Sequence, residues 1–108
     1  MTLIEEAKKG RLSPQIDSVA RREKLEPERL ARLVAAGRAV IPRNIRREKP
    51  AEMAMGVGEA LSVKVNVNVG TSQNLDLPEA EVEKALAAVA AGADAVMDLS
   101  TGGDLDLV

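Results

Sequence analysis

The sequence predicts an α/β chain: a helical N-terminal region followed by one β-α-β unit. Three observations lead there. Residues 1–52 carry helix start and stop signals at short intervals. Val63, Val65, Val67 and Val69 alternate with Lys64, Asn66, Asn68 and Gly70, a period of two that gives a strand one apolar and one polar face. Ala95-Val96-Met97-Asp98-Leu99 is a second extended run, and a helical pattern lies between the two. The expected division is 1–52, helices with a basic linker, and 53–108, the β-α-β unit.

Thr2, with Glu5 three residues on, fits a capping box opening a short helix that stops near Gly10. Ser13-Pro14 is an N-cap followed by proline at the first helical position, and Ile16, Val19 and Ala20 then share a face. Pro27 starts a third helix, with Leu30, Leu33 and Val34 on its buried side and Gly37 at its end. Ala39-Val40-Ile41 reads as a short extended piece ended by Pro42. Residues 43–52 are basic, broken by Pro50, and read as a loop.

After the valine-rich strand, 71–77 form a polar loop. Pro78 opens a helix whose first turn carries Glu79 and Glu81, suited to the positive end of the helix dipole. Val82, Ala85, Leu86, Val89 and Ala90 form an apolar stripe, and Gly92 ends the helix. The connection between the strands is long enough for a right-handed crossover, so they are expected to pair in parallel.

Composition removes several kinds of chemistry. The 108 residues include no Cys, His, Phe, Tyr or Trp. Disulfides, thiolate nucleophiles, histidine bases and aromatic platforms for single-stranded nucleic acid are therefore absent. Residues 1–50 hold 13 Lys and Arg against 7 Asp and Glu, a net of +6; residues 51–108 hold 2 against 10, a net of −8. Such asymmetry fits a nucleic-acid arm or two layers of a larger protein. No run of about 18 apolar residues spans a membrane. Glu5 and Glu6 interrupt the N-terminus where a signal peptide has an apolar stretch, so the expected location is cytoplasmic.

Side chains at the C-terminal ends of strands carry the chemistry of β/α-repeat folds, which brings Asn68 and Met97 forward. Asparagine is a poor strand residue, so Asn66 and Asn68 on one face need partners. They fit a solvated face, a polar ladder or a substrate amide contact, and Asn68 is nearer the strand end. Met97, by residue type alone, reads first as a core residue. Asp98 points to the opposite face, in an ordered hydrogen-bonding role of open identity. Ser100-Thr101-Gly102-Gly103-Asp104 fits an ordinary turn or a cradle of backbone amides for an anion. Gly56-Val57-Gly58 is an incomplete nucleotide-binding pattern. Lys64, Asp98 and Asp104 receive no catalytic role.

Four segments together resemble the N-terminal part of the phosphomethylpyrimidine synthase family of thiamine biosynthesis. They are Gly37-Arg38-Ala39-Val40-Ile41-Pro42-Arg43-Asn44-Ile45, Gly56-Val57-Gly58-Glu59, Lys64 to Ser72 (KVNVNVGTS) and Gly92 to Leu105 (GADAVMDLSTGGDL). The resemblance implies a radical S-adenosylmethionine lyase that rearranges aminoimidazole ribotide into hydroxymethylpyrimidine phosphate. It implies a homodimer, with a [4Fe-4S] cluster, S-adenosylmethionine and zinc. The fold it implies is a helical N-terminal region, a (β/α)8 barrel begun here by its first β-α-β unit, and a C-terminal iron–sulfur segment. The family's substrate-contacting asparagine and methionine match Asn68 and Met97. Its cluster cysteines, zinc-binding histidines and phosphate-binding loops lie beyond Val108, and Val67 stands where the family normally has alanine. A barrel takes about 250 residues and eight strands. The expectation is therefore a fragment without turnover of its own.

Two alternatives stay open. Arg21, Arg22, Arg29, Arg32 and Arg38 decorate two consecutive helices, which reads first as a small helical layer with a solvated cationic face and second as a helix-turn-helix nucleic-acid-binding module. Glu26 and Glu28, at the start of the second helix, stand where a recognition helix would meet phosphates. The other alternative is a non-catalytic partner that pairs with an intact synthase through an open strand edge.

Overall fold

The computed structural model describes residues 1–48, 54–73 and 77–106. Its order is α1 (Leu3–Lys8), α2 (Pro14–Glu23), α3 (Pro27–Ala35), β1 (Ala39–Val40), β2 (Val57–Gly58), β3 (Asn66–Val69), α4 (Pro78–Ala90) and β4 (Ala95–Asp98). The chain forms two compact units, Met1–Val63 and Lys64–Val108.

In the first unit the helix signals translate into hydrogen bonds. The Thr2 hydroxyl accepts from the Glu5 N–H at 3.3 Å, and the Glu5 carboxylate accepts from the Thr2 N–H at 2.7 Å, closing the capping box. The Thr2 backbone N–H, then its hydroxyl, hold the Glu5 carboxyl below its ordinary value. Ser13 caps α2 by accepting from the Ile16 N–H at 3.2 Å. Lys24 leaves α2 in the left-handed region, φ 56°, and Pro27 restarts the chain as α3.

The core of this unit comprises Ala7, Ile16, Val19, Ala20, Leu30, Ala31, Val34, Ala39, Ile41 and Ala54, with Leu3, Leu33, Ala35 and Leu61 packed against it. Leu33 is thus half-buried at the margin, while Leu30 and Val34 are inside. The extended piece at Ala39–Val40 is a strand paired antiparallel with Val57–Gly58, Ala39 opposite Gly58 and Val40 opposite Val57. The incomplete glycine pattern at 56–58 is thereby accounted for structurally: it supplies β2. Residues 43–48 contain no helix or strand, and the rest of the expected linker, 49–52, lies outside the described residues.

The second unit is a β-α-β unit whose strands are parallel, as the crossover length predicts. Asn66 pairs with Ala95, Val67 with Val96, Asn68 with Met97 and Val69 with Asp98. The strand is shorter than the alternation of valines predicts, because β4 offers four residues as partners; Val63 and Val65 lie before it, exposed. The polar loop was expected over 71–77, of which 74–76 lie outside the described residues.

The apolar stripe of α4 turns to solvent, with Val82, Leu86 and Val89 each more than half exposed. The residues that α4 covers are Glu81, buried, and Ala85 and Ala88, half-buried. A periodic stripe identifies an apolar helix face but does not name the surface that it meets. The architecture is accordingly helices with two small two-stranded sheets, an α/β arrangement. The described residues show two small sheets and not a closed barrel.

Candidate functional site

Parallel pairing sends register partners to the same face of a sheet, and successive residues to opposite faces. Asn66, Asn68, Ala95 and Met97 therefore share one face of the β3–β4 pair; Val67, Val69, Val96 and Asp98 share the other. Asn68 and Met97 are direct partners. Both are exposed, Met97 by 50 %. The two asparagines satisfy each other in part: Asn66 Nδ2 donates to Asn68 Oδ1 at 3.1 Å. This is a short polar ladder along one strand. It leaves Asn68 and Met97 as exposed register partners on one face.

The strand ends are tied together. The Leu99 N–H donates to the Val69 carbonyl at 2.7 Å, and the Thr101 N–H to the Thr71 carbonyl at 2.8 Å, extending the parallel pairing past both strands. Thr71 is buried, its N–H donating to Ser100 Oγ at 3.1 Å and its hydroxyl to the Gly102 carbonyl at 2.6 Å. Gly70 has φ 152°, and a Cβ there would lie 2.7 Å from the Leu99 carbonyl carbon and from the Ser100 nitrogen. At Gly102 a Cβ would lie 2.5 Å from the Ser72 carbonyl carbon. Each loop lies against the main chain of the other only because these positions lack side chains.

This stitching gives the loop after β4 a structural account. Thr101 spends its amide on Thr71. Asp98 accepts from both the N–H and the hydroxyl of Ser100, and Asp104 from the Asp106 N–H at 3.1 Å, ordering local turns. At the other end of the unit, Asp94 accepts from the Val65 N–H at 2.8 Å and aligns the start of β4.

Sequence reasoning read Glu81 only as a charge near a helix start. It is the buried residue of α4, 3 % exposed. One carboxylate oxygen accepts from the Gly70 N–H at 2.8 Å; the other lies 2.6 Å from Lys84 Nζ, its single polar contact. Lys84, followed by the Gly70 amide, holds the carboxyl below its ordinary value, overcoming a desolvation that acts the other way. The signal available in the sequence was Glu81 at i, i+3 from Lys84, which marks an ion pair and not a burial site.

In the first unit, Arg21, Arg22, Arg29, Arg32 and Arg38 are exposed, and Arg38 lies 3.5 Å from Glu59. Glu26 and Glu28 remain at the start of α3, both exposed. Among the described residues, no cluster of acidic side chains is arranged to hold a metal ion, and no helix is long and apolar enough to cross a membrane. With neither cysteine nor histidine in the sequence, this chain does not fit an iron–sulfur cluster or a cysteine- or histidine-ligated zinc.

Comparison of the sequence with known proteins places the chain in a family. The chain is 54 % identical over 102 residues to phosphomethylpyrimidine synthase 2 of Methanothermobacter thermautotrophicus, covering 94 % of this chain and 23 % of that protein. It is 51 % identical over 108 residues to the phosphomethylpyrimidine synthase of Archaeoglobus fulgidus, covering all of this chain and 25 % of the relative. A 5-hydroxybenzimidazole synthase of Geobacter sulfurreducens is 49 % identical over 107 residues, covering 99 % and 24 %. The chain thus spans about a quarter of the length of these curated relatives. The profile of the Radical SAM ThiC family matches residues 2–108, and the chain belongs to that family.

Proposed function

We propose that this chain is the N-terminal, substrate-gripping part of a phosphomethylpyrimidine synthase, a lyase that converts aminoimidazole ribotide to hydroxymethylpyrimidine phosphate. One observation carries the reading: Asn68 and Met97 are register partners on one open face, at the C-terminal ends of their strands. Asn68 hydrogen-bonds the substrate through its Nδ2 group, its Oδ1 accepting from Asn66. Met97 packs its thioether against the substrate ring, a soft contact tolerant of a flat heterocycle. In the whole protein β3 and β4 begin a (β/α)8 barrel, which puts this face at the reactive end.

The family description supports a [4Fe-4S] cluster and S-adenosylmethionine in the full-length protein; zinc and a homodimer complete the proposal. When bound, the cluster and S-adenosylmethionine supply the radical. The sequence has no cysteine to ligate the cluster, so the part proposed for this chain is to bind and orient substrate. By itself it is inactive.

The test is made in full-length enzyme carrying this segment. Asn68→Ala raises KM for aminoimidazole ribotide by about tenfold or more, the loss expected of a hydrogen bond to substrate. An unchanged KM overturns the role of Asn68. Pyrimidine phosphate formed by purified residues 1–108 under reducing conditions overturns the inactivity of the fragment. The 49 % identity to a 5-hydroxybenzimidazole synthase favours a second reading, in which the product is 5-hydroxybenzimidazole. Mass analysis of the product separates the two.

A further inference from the structure

We propose that Glu81 is a positioning residue: its carboxylate holds the Gly70 amide and thereby fixes the end of β3, two residues beyond Asn68. The inference rests on the substrate role proposed for Asn68.

Three observations carry it. First, Glu81 occupies the covered position of a helix whose large apolar residues are exposed. A carboxylate is a costly choice there unless its contacts are specific. Second, the contacts are specific: the Gly70 N–H at 2.8 Å on one oxygen and Lys84 Nζ at 2.6 Å on the other. A charged acceptor makes a shorter and stronger hydrogen bond than a neutral one. Third, Gly70 is held from its other side as well. Its missing Cβ leaves the Leu99 and Ser100 main chain in close approach, and the preceding Val69 carbonyl accepts from the Leu99 N–H. The backbone at Gly70 is therefore gripped between α4 and the end of β4. The residue that must point accurately at a small ligand lies two positions upstream, on the same short strand. Displacement of the grip by an ångström moves the Asn68 amide by a similar amount, which hydrogen-bond geometry does not tolerate.

The experiment uses full-length enzyme carrying this segment and compares Glu81→Met, which removes the acceptor, with Glu81→Gln, which keeps one. Glycine-labelled protein reports the Gly70 amide resonance. The expected result is a KM for aminoimidazole ribotide raised about tenfold in Glu81→Met and within about threefold of the parent in Glu81→Gln. The Gly70 resonance moves strongly only in Glu81→Met. The double variant with Asn68→Ala is no worse than Asn68→Ala alone, because both lose the same contact. If Glu81→Met does not accumulate as folded protein, Glu81→Asp takes its place, since one methylene fewer withdraws the carboxylate from Gly70. Loss in Asn68→Ala with none in Glu81→Met or its substitute overturns the positioning role alone. Full additivity in the double variant does the same. No loss in Asn68→Ala overturns the substrate reading and this inference together.

Discussion

Asn68 and Gly70 stand two positions apart and are constrained in opposite ways: one by what its side chain must offer, the other by having none. Gly70→Ala puts a methyl 2.7 Å from the main chain of the neighbouring loop, at a φ of 152°. The expected cost is about 1–3 kcal/mol from backbone strain alone, read as a lower urea midpoint. A midpoint equal to that of the parent sinks the account of the clamp. Glu81 makes a pH prediction. Its folded-state value lies below the ordinary 4.5, so its pairing contributes stability above that value, and the contribution is lost as pH falls through the folded value. Unfolding followed from neutral pH down to about pH 3 shows a smaller acid-induced loss in Glu81→Gln than in the parent. Equal losses in both proteins exclude Glu81 as a contributor. The placement of Asn68 and Met97 beside each other was legible because strand ends and alternation name positions; their substrate contact is a proposal. Glu81 was not, because a carboxylate in a first helical turn looks the same whether it meets water or a backbone amide.

Elements with strong local punctuation were the most readable. The capping box at Thr2 and the Ser13 cap depend on hydrogen bonds that reach three residues, so the sequence contains both partners; Pro27 restarts the chain without a side-chain cap, through its preset φ. The parallel β3–β4 pair was also legible, since a helical crossover leaves little other choice. The two-residue pair β1–β2 was not: its strands are far apart in the chain and too short for any period to register. The orientation of α4 was equally hidden, because the stripe names a face without naming the surface that it meets. This gives a contrast to measure. Leu86→Gln on the exposed stripe changes the stability of the chain by about 0.5 kcal/mol or less, whereas Leu30→Ala in the core costs about 2–5 kcal/mol. A large loss in Leu86→Gln would mean that the stripe is already covered.

Across the whole molecule the apolar burial is uneven. Among the described residues, every member of the core cluster belongs to Met1–Val63. Amide hydrogens of α2 and α3 are therefore expected to exchange with solvent more slowly than those of β3 and β4, where few apolar contacts resist opening. Exchange in the reverse order refutes this ranking. The Asn68–Met97 face is thus set on the thinner unit, held by directed bonds more than by bulk. One consequence concerns repair. At Gly70 and Gly102 the obstacle to any larger residue is the polypeptide itself, and no exchange of a neighbouring amino acid can trim a peptide group. A genetic selection begun from Gly70→Ala is predicted to recover glycine at that codon, and not second changes elsewhere in the two loops.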